Sequence, residues 1–202
     1  MNPKIKWLRD KIARMDMQGM IISNPINIRY LIGIEAEGTL LLTRKENIYI
    51  TDARYIEKVN TMLTIDDEVI VTNIMDVSKE DYENFFMFCE NVGFEEQYLT
   101  YAKYKDYKQR YKINNFVETE KLIEKQRMIK DEYEINCIKK ACEITDKCFS
   151  YLQIYIKKGM TEKEIAREIE NFFIINGADG LAFDTIVASR AKFIYATCNT
   201  NK

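Results

Sequence analysis

Residues 39–55 read Thr39-Leu40-Leu41-Leu42-Thr43-Arg44-Lys45-Glu46-Asn47-Ile48-Tyr49-Ile50-Thr51-Asp52-Ala53-Arg54-Tyr55. Two β-prone runs, 39–43 and 47–51, flank the polar turn Arg44-Lys45-Glu46, which predicts two strands joined in sequence. Asp52 stands where a side-chain oxygen can accept from the exposed amides of a helix start. A helix over 53–62 follows from that cap. Upstream, Ile5, Leu8, Ile12 and Met15 recur at helical steps, so 4–18 reads as an amphipathic helix with Gly19 as its C-terminal cap. Met20-Ile21-Ile22 reads as a short buried strand, broken by Asn24-Pro25. Downstream, strands are expected at 68–71, 92–95 and 115–118, with helices near 79–91 and 101–112. Strands alternating with helices imply an α/β layer around a mixed, mostly buried sheet flanked by helices.

Around 119–130 the composition shifts to Glu120-Lys121-Leu122-Ile123-Glu124-Lys125-Gln126-Arg127. The division is placed there, giving units of residues 1–123 and 124–202. In the second unit Ile135, Ile138, Cys142, Thr145, Phe149, Leu152 and Ile156 form one stripe of a helix over 131–156. Thr161 and Glu164 have the spacing of a capping box. Ile165, Ile169, Phe172 and Phe173 give the helix that follows its buried face, and Gly177 ends it. Residues 181–187 read as one strand.

The residues quoted so far carry a resemblance in their order. Asn27-Ile28-Arg29-Tyr30-Leu31-Ile32-Gly33 with Gly38-Thr39-Leu40-Leu41, then Tyr49 to Tyr55, then Gly93-Phe94-Glu95-Glu96 resemble a creatinase-type N-terminal domain. Arg127-Met128-Ile129-Lys130 with Glu134-Ile135, Lys158-Gly159-Met160-Thr161-Glu162, and Phe183 to Ser189 are similar to the first part of a pita-bread metallopeptidase domain. The likeness spans about nine tenths of the chain and points to the Xaa-Pro aminopeptidases and Xaa-Pro dipeptidases (prolidases). It implies a creatinase-type α/β domain followed by a helical stub of a pita-bread α+β domain. It also implies hydrolysis before proline by two divalent ions, manganese or cobalt, held by two aspartates, a histidine and two glutamates. By the same likeness those ligands fall beyond Lys202, so none is assigned and no cofactor is expected in these residues. Tyr195-Ala196-Thr197 falls about where the family has His-Ala-Thr. Tyr195 is therefore a candidate substrate contact, although an ordinary phenol pKa near 10 makes it a poor imidazole. Arg54 and Tyr55 are candidates for a substrate entrance, with packing at a helix start as the competing role.

Composition bounds the remaining classes. The chain has 202 residues, 47% apolar and 31% charged, with a net charge of -2 and no histidine. The charge gives no reason to expect nucleic acid or an anionic membrane. No apolar run is long enough to span a bilayer, and the N-terminal residues lack the apolar centre of a signal peptide; a cytoplasmic location is expected. Without histidine, Ser23 and Ser189 have no base for a serine triad. Five cysteines without regular spacing read as structural thiols, not as a metal site. Tyrosines interleaved with basic residues over 101–112 fit base stacking, but fit better an amphipathic helix whose lysine and arginine stems cover apolar surface. Three functional readings stay open: a chain unable to cleave Xaa-Pro bonds by itself, a non-catalytic module for dimerisation or peptide binding, and half of a hydrolase completed by a separate chain. A homodimer is the expected assembly.

Overall fold

The computed structural model describes residues 2–63 and 68–188. The chain divides into two compact units, residues 1–129 and 130–202.

The first unit is built on a six-stranded sheet of order β4-β3-β2-β1-β5-β6. Its strands are β1 (Gly19–Ile22), β2 (Gly38–Thr43), β3 (Asn47–Thr51), β4 (Val69–Asn73), β5 (Asn91–Phe94) and β6 (Asn115–Glu118). β2 runs antiparallel to both β1 and β3. β4 is parallel to β3, and β5 and β6 continue parallel from β1. Every strand except β2 therefore points the same way, and the ends of β1, β3, β4, β5 and β6 share one edge. The sequence separates the two faces by alternation. On one side Met20, Ile22, Leu40, Leu42 and Tyr49 pack with Ile5, Leu8, Ile28, Leu31, Val59, Leu122 and Ile123. On the other Ile21, Leu41, Ile50 and Val92 pack with Tyr82, Phe86, Tyr107 and Tyr111. The first group of helices is α1 (Pro3–Arg14), α2 (Pro25–Ile32), α3 (Ala53–Met62) and α6 (Leu122–Arg127); the second is α4 (Lys79–Phe85) and α5 (Tyr101–Arg110).

The mixed sheet with flanking helices is the architecture expected from sequence. Several boundaries differ, for local reasons. α1 stops at Arg14, short of 18, because Asp16 takes a left-handed φ of 57° and turns Met17 into the core, where it is fully buried. α4 ends at Phe85; its expected continuation would carry Phe88 away from the core, and that ring is 88% exposed. α2 was not expected: Asn24-Pro25 reads as a strand breaker but acts as a helix start. Asn24 Oδ1 accepts from Ile26 N at 3.0 Å, Pro25 fills the first helical position, and Gly33 closes the helix in the left-handed region at φ 71°. That is the ordinary Asn-Pro…Gly signature of a helix. The sequence division after residue 123 cuts α6 in two, leaving Leu122 and Ile123 in the first unit and residues 124–127 in the second. The whole helix belongs with the first unit: Leu122 and Ile123 join its core, and Gln126 Nε2 donates to the Lys4 carbonyl at 3.1 Å.

In the second unit α7 (Glu132–Tyr155) and α8 (Glu162–Ile175) each start on a complete capping box, Asp131 with Glu134 and Thr161 with Glu164. They pair through Tyr151, which stacks on Phe172 at 5.1 Å and donates to Glu168 Oε1 at 2.8 Å. Their buried contacts are Cys148 and Ala166. Cys137 and Cys142 are exposed, contrary to the expectation of structural burial, because they lie on the part of α7 before this pairing. The strand expected at 181–187 does not form; these residues are irregular. A strand needs a partner for its backbone groups, and the described part of this unit contains helices but no strand.

Candidate binding site at the carboxyl edge of the sheet

Four of the five strands that point the same way are followed by polar residues: Ser23 and Asn24 after β1, Asp52 after β3, Glu95 and Glu96 after β5, and Thr119 after β6. Apolar runs supply the sheet, and the chain turns polar where it leaves it. β1 leads directly into α2 on one face, while β5 leads into α5 on the other. Adjacent parallel strands whose connections depart to opposite faces leave a crevice between them, the usual ligand position in open α/β sheets.

Glu95 organises this edge. It is 6% exposed. Its Oε2 accepts from Ser23 N at 2.7 Å and Asn24 N at 2.8 Å, and its Oε1 from Asn27 Nδ2 at 2.7 Å. Asn27 is fully buried. Its Nδ2 also donates to Glu124 Oε1 at 2.7 Å, while its Oδ1 accepts from Arg127 Nη1 at 3.0 Å. Both hydrogens of the Asn27 amide are thus engaged, and the side chain ties the end of β5, α2 and α6 together. Burial pushes the Glu95 carboxyl above its ordinary pKa and Glu124 adds to that; the donors from Asn27, Asn24 and Ser23 oppose the shift.

Two hollows flank this cluster. A recess of about 220 Å³ is lined by Asn24, Glu95, Glu96, Tyr98, Thr119 and Lys121 among others. A broader groove of about 750 Å³ is lined by residues including Ser23, Arg29, Glu37, Tyr55, Tyr98 and Lys103. The hydroxyl of Ser23 is buried and has no hydrogen-bond partner.

The sequence candidates meet this site unevenly. Tyr55 lines the groove. Arg54 does not line it: its Nε pairs with Asp52 Oδ1 at 2.8 Å and its guanidinium sits 5.3 Å from the Tyr55 ring centre. Asp52 also caps α3 by accepting from Arg54 N at 3.0 Å. That backbone donation, with the Arg54 side chain, holds the Asp52 carboxyl below its ordinary value. Tyr195 lies outside the described residues. Ser23, Asn27, Lys103 and Glu124 were not singled out for binding, and Glu95 only as part of a family landmark. The signal that finds the strand-end pair is positional: Ser23 and Glu95 each follow an apolar strand in an alternating α/β chain.

The described residues do not fit a two-metal centre. No histidine occurs in the sequence. Among the described residues no three His, Cys, Asp or Glu side chains converge as a metal-ion site would need. Glu95 and Glu124 approach each other only through the Asn27 amide, whose hydrogens occupy the oxygens a cation would need.

Comparison with known proteins gives consistent matches. Residues 4–129 match the Creatinase/Prolidase N-terminal domain, and residues 136–202 match Metallopeptidase family M24. An uncharacterized peptidase of Bacillus subtilis is 29% identical over 92% of this chain and 53% of its own length. The Xaa-Pro dipeptidase of Pyrococcus horikoshii is 28% identical over 94% of this chain and 52% of its own. Among solved structures, an Xaa-Pro dipeptidase from Bacillus anthracis superposes with a TM-score of 0.80 at 28% identity, over 90% of this chain and 51% of that one. The prolidase of Pyrococcus horikoshii gives a TM-score of 0.80. The chain spans about half the length of the relatives it matches. With a creatinase-type sheet in its first unit and both family matches in order, the chain belongs to the creatinase/prolidase family of Xaa-Pro peptidases.

Proposed function

We propose that these 202 residues are the non-catalytic half of an Xaa-Pro peptidase-type protein and do not cleave Xaa-Pro bonds by themselves. The supporting observation is the donor inventory. The family resemblance implies a two-ion centre that includes an imidazole, and the sequence contains no histidine. A divalent pair needs several converging carboxylate or imidazole ligands, and among the described residues buried Glu95 and half-buried Glu124 are engaged by backbone and amide donors. The role left to the first unit is binding at the carboxyl edge of its sheet. The test is hydrolysis of Xaa-Pro dipeptides and longer Xaa-Pro peptides by a chain of verified mass in manganese or cobalt buffer. No turnover above the metal-only control is expected; robust turnover overturns the proposal.

A second reading, that the chain associates with another polypeptide, is favoured by apolar exposure in the second unit. Phe149 is 65% exposed, Ile154 83%, Ile174 67% and Ile175 73%. Each such side chain left in water forgoes about 1.5–3 kcal/mol of burial, which covering by a partner would recover. The partner is a second copy or a separately encoded catalytic half. Sedimentation of the purified chain is expected to give a homodimer, and Phe149→Asp with Ile175→Asp is expected to shift it to monomer. A strict monomer at high concentration, with α7 and α8 well protected from hydrogen exchange, argues against self-association.

A further inference from the structure

The apolar stripe that the sequence places along α7 is not the face that α8 covers. α8 meets α7 around Cys148 and Tyr151: Cys148 is the buried residue of α7, and Tyr151 stacks on Phe172 and donates to Glu168. The stripe is Ile135, Ile138, Cys142, Thr145, Phe149 and Leu152. Its first five members are exposed, Phe149 to 65%, and Leu152 is half-buried. The steps along it alternate between three and four residues, a period of about 3.5, which is the spacing of a seam between two paired helices. α7 thus carries two contact faces, one used by α8 and one left open by the described residues.

We propose that α7 pairs along this stripe with α7 of a second copy of the chain, antiparallel, about a two-fold axis passing between residues 143 and 144. The inference rests on the self-association reading above and names its surface. That axis sets Ile135 against the partner's Leu152, Ile138 against the partner's Phe149 and Cys142 against the partner's Thr145. The bulky Phe149 then meets an isoleucine and not a second Phe149, and the two smallest members of the stripe meet at the centre, where the helices can approach.

Charge favours this direction. Lys139 and Asp146 are exposed and follow the seam residues Ile138 and Thr145, so they flank the stripe on the same side. In the antiparallel register each Lys139 lies beside the partner's Asp146, and the two-fold axis makes the pair occur twice. A parallel pairing would set Asp146 beside the partner's Ala141. It would set Lys139 beside the partner's Glu134, a carboxylate that in each chain closes the capping box by accepting from Asp131 N at 3.0 Å. Opposed helix dipoles favour the antiparallel arrangement as well.

Sedimentation of the full 202-residue chain over a concentration series measures the dimer Kd, with circular dichroism reporting helix content. Asp146→Lys and Lys139→Asp each turn two attractive pairs into two repulsive ones, and each is expected to raise Kd about tenfold. The double variant, Lys139→Asp with Asp146→Lys, re-forms both pairs and is expected to return Kd to within about threefold of wild type. Both residues are exposed and neither caps α7, so helix content is expected to hold; should one single variant lose helix, the other and the double decide. A dimer whose Kd ignores the single substitutions, or a double variant as weak as the singles, overturns this pairing and leaves self-association standing through another surface. A strict monomer overturns both and leaves the stripe to a separately encoded chain.

Discussion

Glu95→Ala is expected to lower the stability of the first unit by about 3–5 kcal/mol, because it leaves two buried backbone donors and one side-chain donor without an acceptor. The ordinary stability of a domain is about 5–15 kcal/mol, so the variant is expected to be marginal at 37 °C. The loss should not stay local. Asn27 carries the same network to Glu124 and Arg127, so α6 should lose hydrogen-exchange protection first. Denaturant unfolding followed by tryptophan fluorescence measures the total, and hydrogen exchange locates it. A loss below about 1 kcal/mol would show that water replaces the carboxylate without penalty. Glu95→Gln separates charge from shape. The folded pKa of Glu95 is raised by burial, so its contribution is complete below the ordinary value of 4.5 and declines as pH rises through the folded value. Wild type is expected to lose stability across that window relative to Glu95→Gln, whose side chain does not titrate.

Gly38→Val is expected to cost about 1–3 kcal/mol or more by overpacking. A Cβ at residue 38 would stand 2.5 Å from the Tyr49 hydroxyl and 2.8 Å from the Ile50 carbonyl. Neither yields cheaply. Tyr49 is fully buried and donates to the Ala36 carbonyl at 2.9 Å, and the Ile50 carbonyl belongs to β3. The same burial pushes the Tyr49 pKa up to about 12, so the phenol stays protonated and keeps donating. Gly33 provides the contrast. A Cβ there meets nothing within 4 Å, and φ is 71°, so Gly33→Ala is expected to cost only the left-handed backbone term of about 1 kcal/mol. Equal thermal shifts for the two substitutions would contradict the packing argument.

The sheet was legible because its strands announce themselves. Leu40, Leu41 and Leu42 are buried on alternating faces, and each face has its own helix group. The helices hardest to read were α2 and α6. Asn24-Pro25 looks the same whether it breaks a strand or starts a helix; the difference is Gly33 eight residues on, in the cap position. α6 looks charged and linker-like, and only Leu122 and Ile123 among its first residues are buried. Its start follows two consecutive left-handed residues, Glu120 at φ 47° and Lys121 at 60°, a turn that sequence propensity disfavours and tertiary packing imposes. The site was half legible. Glu95 stood out as part of a landmark, and Tyr55 was named. Asn27 meets Glu95 across 68 residues of chain and Glu124 across 97, and no local pattern encodes such a meeting. In the second unit the capping boxes were plain, whereas a strand at 181–187 could not be judged from its own residues, since pairing depends on a neighbour.

The central claim is that these residues supply fold and binding surface but no hydrolytic metal pair. It is tested most directly by dialysing the mass-verified chain against manganese and counting bound ions per chain. Substoichiometric binding that washes out on further dialysis is predicted, since no histidine is present and among the described residues no acidic or thiol ligands converge. Two tightly retained ions per chain would contradict the account.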